Sequence, residues 1–296
     1  MGTALLDPAV LARIDDLELV ARVVVEGFLN GLHRAPHLGT SMDFAEHRAY
    51  APGDDIRRID WKLFARSDRY HVKEFEADTN TNCVVLLDVS RSMRFGRAHG
   101  PKLEYAKRLA ACILYMARRQ RDRVGLATFD DAVVDYVPPS AKHMEVALHA
   151  LQRAEAGRPG ALAGPLRTLA EGFRRRSMVV LISDLYEEPA AVADAAAYLR
   201  GKGNDLLVLH LLDPAELDFP YEEATTFVDL ESGERIPVVP AKLRERYASL
   251  VAAHIEALKE ALVGAGADYV VLDTGRPLAD ALPTYVAARR HVGRPR

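Results

Sequence analysis

The sequence predicts an α/β protein built on an open, mostly parallel, doubly wound sheet. Two observations carry that reading. From residue 83 onward, short apolar runs alternate with longer amphipathic stretches. The runs "CVVLLDV" (83–89), "RVGLATF" (123–129), "SMVVLISD" (177–184), "DLLVLHLLD" (205–213) and "ADYVVLD" (267–273) are apolar almost without a break. Strands buried on both faces read that way, and strands separated by helices pair in parallel with helices covering each side.

Upstream of the sheet, Asp7 is placed to cap a helix and Pro8 fits its first turn. Leu11, Ile14, Val20, Val24 and Phe28 recur at helical spacing, and Asn30-Gly31 is the expected end. A polar segment punctuated by Gly and Pro fills 31–54. "DDIRRIDWKLFARS" follows as a short helix with Ile56, Ile59 and Leu63 on one face and Asp54 or Asp55 at its cap. "YHVKEFEADTNTN" reads as extended. These first residues, 1–79, are expected to pack on a sheet domain spanning 80–296 rather than fold alone.

Within the sheet domain a helix is expected over Lys102–Arg119. "DDAVVDYV" returns as an antiparallel edge strand, because Asp130-Asp131 is too short a link for a crossover. One or two helices fill 141–175 and another spans 188–201. "TFVDLESGERIPVV" predicts a hairpin turning at Ser232-Gly233. Leu243, Tyr247, Leu250, Val251, Ile255, Leu258 and Leu262 line a long helix that Gly264 or Gly266 closes. A last helix covers 277–291.

The bulk properties narrow the function. A net charge of −3 offers no electrostatic footprint for nucleic acid. The basic runs at 118–123 and 174–176 fall at expected helix ends, where cations suit the dipole. Cys83 and Cys112 are too far apart for a zinc motif and read as small buried hydrophobes. No apolar run approaches the ~20 residues that span a bilayer, and acidic residues interrupt the N-terminal apolar stretch. The cytoplasm is the expected location.

The chemistry centres on "DVSRSM". Asp88 sits where the first apolar strand emerges, and Ser90 and Ser92 follow at alternate positions. Asp184 ends a later strand. Open parallel sheets place ligand sites beyond the carboxyl ends of strands where chain order reverses. If these two strands are neighbours at the reversal, Asp88, Ser90, Ser92 and Asp184 converge as an all-oxygen donor set suited to a hard divalent cation. Taken singly, an Asp or Ser after a strand is a helix cap or loop residue. The ladder combined with a second carboxylate is more specific.

"DVSRSM" resembles the DxSxS metal-ion-dependent adhesion site of von Willebrand factor type A domains. The order strand, helix, strand, antiparallel strand, then a strand ending in Ser-Asp is similar throughout that Rossmann-like fold. Upstream, "RAYAPGDDIRRIDWKLFARSDRYHVKEFE" resembles the signature of a bacterial family catalogued as domain of unknown function 58, which joins this block to a type A-like domain. The resemblance implies that Ser90 and Ser92 ligate Mg2+ (or Mn2+ or Ca2+) directly, that Asp88 acts through water or hydrogen bonds, and that Asp184 faces the ion across the cleft. It implies protein binding: the open position of the ion takes an acidic side chain, and a MoxR-type AAA+ ATPase is the implied partner. The pattern also asks for a loop Thr. "AGRPGALAGPLRTLA" has none at the expected place; Thr168 lies deep in the next helix and Ser140 is a distant substitute. Three outcomes are open: weak metal affinity, binding only alongside a partner carboxylate, or a vestigial site whose oxygens satisfy each other.

Two other readings stand beside this one. The block Asp54–Arg66 packs Asp54, Asp55, Arg57, Arg58, Asp60, Lys62 and Arg66 into a short space. It is either a structural knot around Trp61 or a metal-free docking surface in which Arg57, Arg58 and Arg66 meet an acidic partner or a phosphate. A metal-dependent hydrolase or phosphatase using Asp88 and Asp184 is the enzymatic alternative. Ser90 stands where a dehalogenase-like phosphatase needs its second acid, and no GxSxG elbow is present. A triad from His210, Asp213 and a serine has no feature in its favour.

Overall fold

The computed structural model describes residues 14, 16–34, 47–49, 64, 70–73, 81–97, 99–230 and 232–289. The elements in chain order are α1 (Leu17–Arg34), β1 (His47–Ala49), β2 (His71–Lys73), β3 (Asn82–Asp88), α2 (Lys102–Arg119), β4 (Arg123–Phe129) and β5 (Val133–Ser140). They continue with α3 (Met144–Arg153), α4 (Ala163–Gly172), β6 (Ser177–Ser183), α5 (Pro189–Gly201), β7 (Asp205–Leu212) and α6 (Pro214–Asp218). The chain then forms β8 (Thr225–Val228), β9 (Arg235–Val238), α7 (Pro240–Gly264), β10 (Asp268–Asp273) and α8 (Leu282–Arg289). It divides into two units, one made of the residues up to Glu26 and from Thr81 onward, the other Gly27–Asn80.

The larger unit holds a six-stranded sheet in the order β10-β7-β6-β3-β4-β5. Every pairing is parallel except β4 with β5. β3 comes first in this sheet, and the chain runs to one side of it through β4 and β5. It then crosses back to β6 on the other side, so chain order reverses between β3 and β6. β3, β4, β6 and β7 are buried almost throughout, as their unbroken apolar runs require. β5 is the antiparallel edge, and its Pro138 and Pro139 blunt it against further pairing.

Two helical layers cover the sheet. Val84, Leu86, Val179, Leu181, Leu206 and Val208 face one way and pack with α4, α5 and the C-terminal end of α7, through Leu166, Leu169, Val192, Leu199, Leu258 and Leu262. The alternate residues face α2 and α8; Cys83 meets the Tyr285 hydroxyl at 3.8 Å. Fully burying one such Leu or Val stabilises by about 1.5–3 kcal/mol, so this double-sided core fixes the strand register and the position of every strand end. Cys83 and Cys112 are both free and buried.

α1 starts later than its expected cap at Asp7, which lies outside the described residues. Asp16 caps it, accepting from the backbone N–H groups of Glu18 and Leu19. Nor does α1 stop at Asn30-Gly31; it runs on to Arg34, since one glycine costs a helix only about 1 kcal/mol. In the smaller unit β1 and β2 pair antiparallel, His47 with Lys73 and Ala49 with His71, and Phe64 stacks on Tyr70 with ring centroids 4.4 Å apart.

Candidate functional site

Every parallel strand of the sheet ends on an aspartate or runs directly into one: Asp88, Asp130, Asp184, Asp213 and Asp273. Three of them are turn and cap residues. Asp130 accepts from Ala132 N–H and Asp273 from Gly275 N–H. Asp213 caps α6 in a box with Glu216, whose own carboxylate accepts from Asp213 N–H at 2.7 Å. The remaining two, Asp88 and Asp184, stand at the reversal point between β3 and β6.

β3 and β6 pair in register up to Leu87 and Ile182, so the next residues, Asp88 and Ser183, meet. The Ser183 hydroxyl donates to Asp88 Oδ2 at 2.5 Å. Asp88 Oδ1 accepts from Ser90 N–H at 2.7 Å, which bends the chain so that Ser90 and Ser92 bring their hydroxyls within 3.0 Å of each other. Burial, and then the nearby Asp184 carboxylate, push Asp88 up to about 7, against the pull of its bonds to Ser183 and Ser90. Both carboxylate oxygens of Asp88 accept hydrogen bonds, so Asp88 organises this loop.

Asp184 follows Ser183 and is buried. Lys102 Nζ lies 2.9 Å from its Oδ2 and 2.6 Å from Glu216 Oε1. Lys102 is wholly inaccessible to solvent, with its ammonium 4.9 Å from the centre of the Tyr186 ring and 5.7 Å from that of Phe95. Burial alone would lower this ammonium's pKa, but Asp184 and Glu216 outweigh it and hold it above its ordinary value.

A third loop closes the site. Arg91 N–H donates to Arg158 C=O at 2.8 Å, and a β-carbon on Gly160 would lie 2.6 Å from Ser90 Cβ. Only glycine allows this approach. Ser140 is paired with Val124, at the opposite end of β4 from the site. Thr168 lies in α4 and bonds its own helix at Gly164 C=O. Neither brings a hydroxyl to Ser90.

His210 and Asp213 are not arranged as two members of a triad. His210 Nδ1 bonds the Tyr269 hydroxyl at 2.7 Å, while Asp213 is spent on its cap and on Arg97 N–H. Burial lowers His210 to about 4, so it stays neutral near pH 7. Asp54, Arg57, Arg58, Asp60, Trp61 and Arg66 lie outside the described residues.

The sequence matches the family described as "Protein of unknown function DUF58" over residues 46–257. The chain belongs to this DUF58 family. Relatives over its full extent include uncharacterized protein Rv1480 of Mycobacterium tuberculosis and uncharacterized protein Mb1516 of Mycobacterium bovis. Each is 31% identical over 96% of this chain and 91% of its own length. Among solved structures, conserved hypothetical protein BatB from Bacteroides thetaiotaomicron superposes with a TM-score of 0.50 at 18% identity, covering 71% of this chain and 99% of that one. An aerotolerance-related membrane protein from Bacteroides fragilis does so at 0.50 and 19%, with the same coverage. These likenesses concern the fold, which is von Willebrand type A-like. Among the described residues of this DUF58 chain, no helix is long and apolar enough to cross a membrane.

The donor set of this DUF58 site suits a hard divalent cation. Two oxygens on adjacent corners of a Mg2+ octahedron, each about 2.1 Å from the ion, lie about 3.0 Å apart; the Ser90 and Ser92 hydroxyls have that spacing. Among the described residues no three His, Cys, Asp or Glu side chains gather into a metal-holding group. Ser90 and Ser92 would be the direct donors to such an ion, with the Asp88 carboxylate hydrogen-bonded beside them. The structure brings Asp88, Ser90 and Ser92 together and puts Asp184 on the adjoining strand end; sequence reasoning did not single out Lys102, Ser183, Glu216 and Gly160. One of them carried a signal. Lys102 opens α2, where a cation opposes the helix dipole, an unfavourable placement that Asp184 and Glu216 offset.

Proposed function

We propose that the chain is a non-catalytic protein-interaction module of the cytoplasm that takes an acidic side chain of its partner at the carboxyl end of the sheet. The observation that carries this reading is the hydroxyl pair of Ser90 and Ser92 at the reversal point, flanked by Asp88 and Asp184. A divalent cation such as Mg2+ (or Mn2+ or Ca2+), held by Ser90 and Ser92, would supply an open coordination position for the partner's carboxylate. The protein's own groups do the rest. Asp88 shapes the loop through Ser90 N–H, Ser183 ties Asp88 to β6, and Gly160 lets the neighbouring loop close on Ser90. A MoxR-type AAA+ ATPase is the partner class the type A-like and DUF58 resemblance implies.

The test is capture from native cytoplasm with and without a chelator. A partner retained in Mg2+, released by chelator, and lost from Ser90→Ala/Ser92→Ala with its melting temperature unchanged supports the reading. Equal retention by the double variant, with or without chelator, overturns it.

A further inference from the structure

Lys102 is the one buried cation beside Asp184 among the described residues, and its setting is costly. It sits at the positive end of α2, has no solvent access, and is held at 2.9 Å and 2.6 Å by Asp184 and Glu216. Glu216 cannot draw it elsewhere, because its second oxygen is fixed by Asp213 N–H in the α6 cap. The ammonium is therefore kept beside Asp184, although its hydrogen bond goes to Glu216.

We infer that Lys102 is a positioning residue that serves Asp184 as an internal counter-ion, keeping divalent-ion binding at Ser90 and Ser92 weak until an acidic ligand arrives. The inference rests on the ion reading above. Asp184 and Glu216 share this one ammonium, so the negative charge that Asp184 offers a dication is reduced but not cancelled. The ammonium also repels such an ion directly, and charges are poorly screened at buried sites. Gly160, in contact with Ser90, adds no third hydroxyl. A ligand carboxylate mends both deficits at once, bringing one negative charge and one more oxygen. Ion and acidic ligand then bind as a pair, each poorly without the other.

Titration of MnCl2 into the full chain, followed by calorimetry and by melting temperature, tests this. Lys102→Met leaves Asp184 and Glu216 unbalanced, so it lowers the melting temperature in chelator. It also binds Mn2+ about tenfold or more tightly than the unaltered chain, and Mn2+ restores much of the lost stability. Glu216→Gln shifts the ammonium's charge onto Asp184 and weakens Mn2+ binding, and it serves if Lys102→Met does not fold. A merely structural Lys102 gives the opposite pattern: Lys102→Met binds Mn2+ no better than the unaltered chain, which overturns the inference. Adding Ser90→Ala/Ser92→Ala to Lys102→Met separates the two ideas. If the hydroxyls are needed but Lys102→Met is no tighter, the counter-ion role falls and the ion site stands. If tight binding survives without the hydroxyls, or neither chain binds Mn2+, the ion site itself falls.

Discussion

The two ends of the same sheet treat buried charge differently. At the amino end two acids are held by arginines. Asp122, before β4, pairs with Arg289 of α8 and accepts from Thr81 N–H. Asp205, opening β7, is clasped by Arg176 at 3.1 Å and Arg200 at 2.7 Å. At the carboxyl end, among the described residues, five carboxylates are buried, Asp88, Asp130, Asp184, Asp213 and Glu216, and the buried Lys102 pairs with two of them, Asp184 and Glu216. Asp130 and Asp213 are satisfied by backbone N–H groups. Asp88 and Asp184 are left close enough for one to raise the other's pKa. A fold concerned only with stability has no reason to treat its two ends so unequally; the surplus of negative charge lies where open sheets bind ligands.

The largest effect expected is at the amino end. Asp122→Ala takes the buried Asp122 carboxylate away from the half-buried Arg289 guanidinium, and breaking a buried pair costs up to about 3–5 kcal/mol. Urea unfolding measures it, and the loss is the same in Mg2+ or chelator. A loss below about 1 kcal/mol, the range of exposed pairs, would show that this end is not the closed, structural one.

The fold was legible because its signal is repeated. Five unbroken apolar runs, most of them separated by helical patterns, leave few alternatives to a parallel sheet, and Asp130-Asp131 was short enough to force the antiparallel edge. The site was legible only in part. "DVSRSM" and the Ser-Asp of β6 pointed to the two strand ends that meet at the reversal, but an aspartate after a strand proved to be the rule in this chain. Asp213, Asp130 and Asp273 are caps and turns. α6 was overlooked although "DPAE" at 213–216 spells a capping box with Pro at its first position. The partners of the site came from far away in sequence, Lys102 with Asp184 and Gly160 with Ser90. Such contacts follow from packing, which periodicity does not reveal.

A smaller effect sharpens the comparison at the mouth of the site. Gly160→Ala drives a methyl to 2.6 Å from Ser90 Cβ, and overpacking of this kind costs about 1–3 kcal/mol. Gly157→Ala, three residues earlier in the same loop, meets nothing within 4 Å and should stay within about 0.5 kcal/mol. Pairing Gly160→Ala with Ser90→Gly removes the clash, so the two changes together cost less than their sum. Strict additivity in that double-mutant cycle would mean that this loop does not press on Ser90.

The smallest effect isolates burial from distance. Lys259 Nζ lies 2.9 Å from Glu256 Oε1 on the outer face of α7, the same separation as Lys102 from Asp184. The side chains of the first pair are more than half exposed, at 54% and 56%; those of the second have 0% and 3% of their surface exposed. In water the attraction is offset by screening and by the entropy of holding two long side chains, so Lys259→Ala should change stability by less than about 0.5 kcal/mol. Raising salt should leave even that difference undetectable. The exposed pair then fixes what 2.9 Å contributes by itself, and any larger response of Lys102→Met is due to desolvation around Asp184. A comparable loss from both lysines would instead mean that distance governs these pairs, and the unequal charge of the two sheet ends would carry no functional meaning.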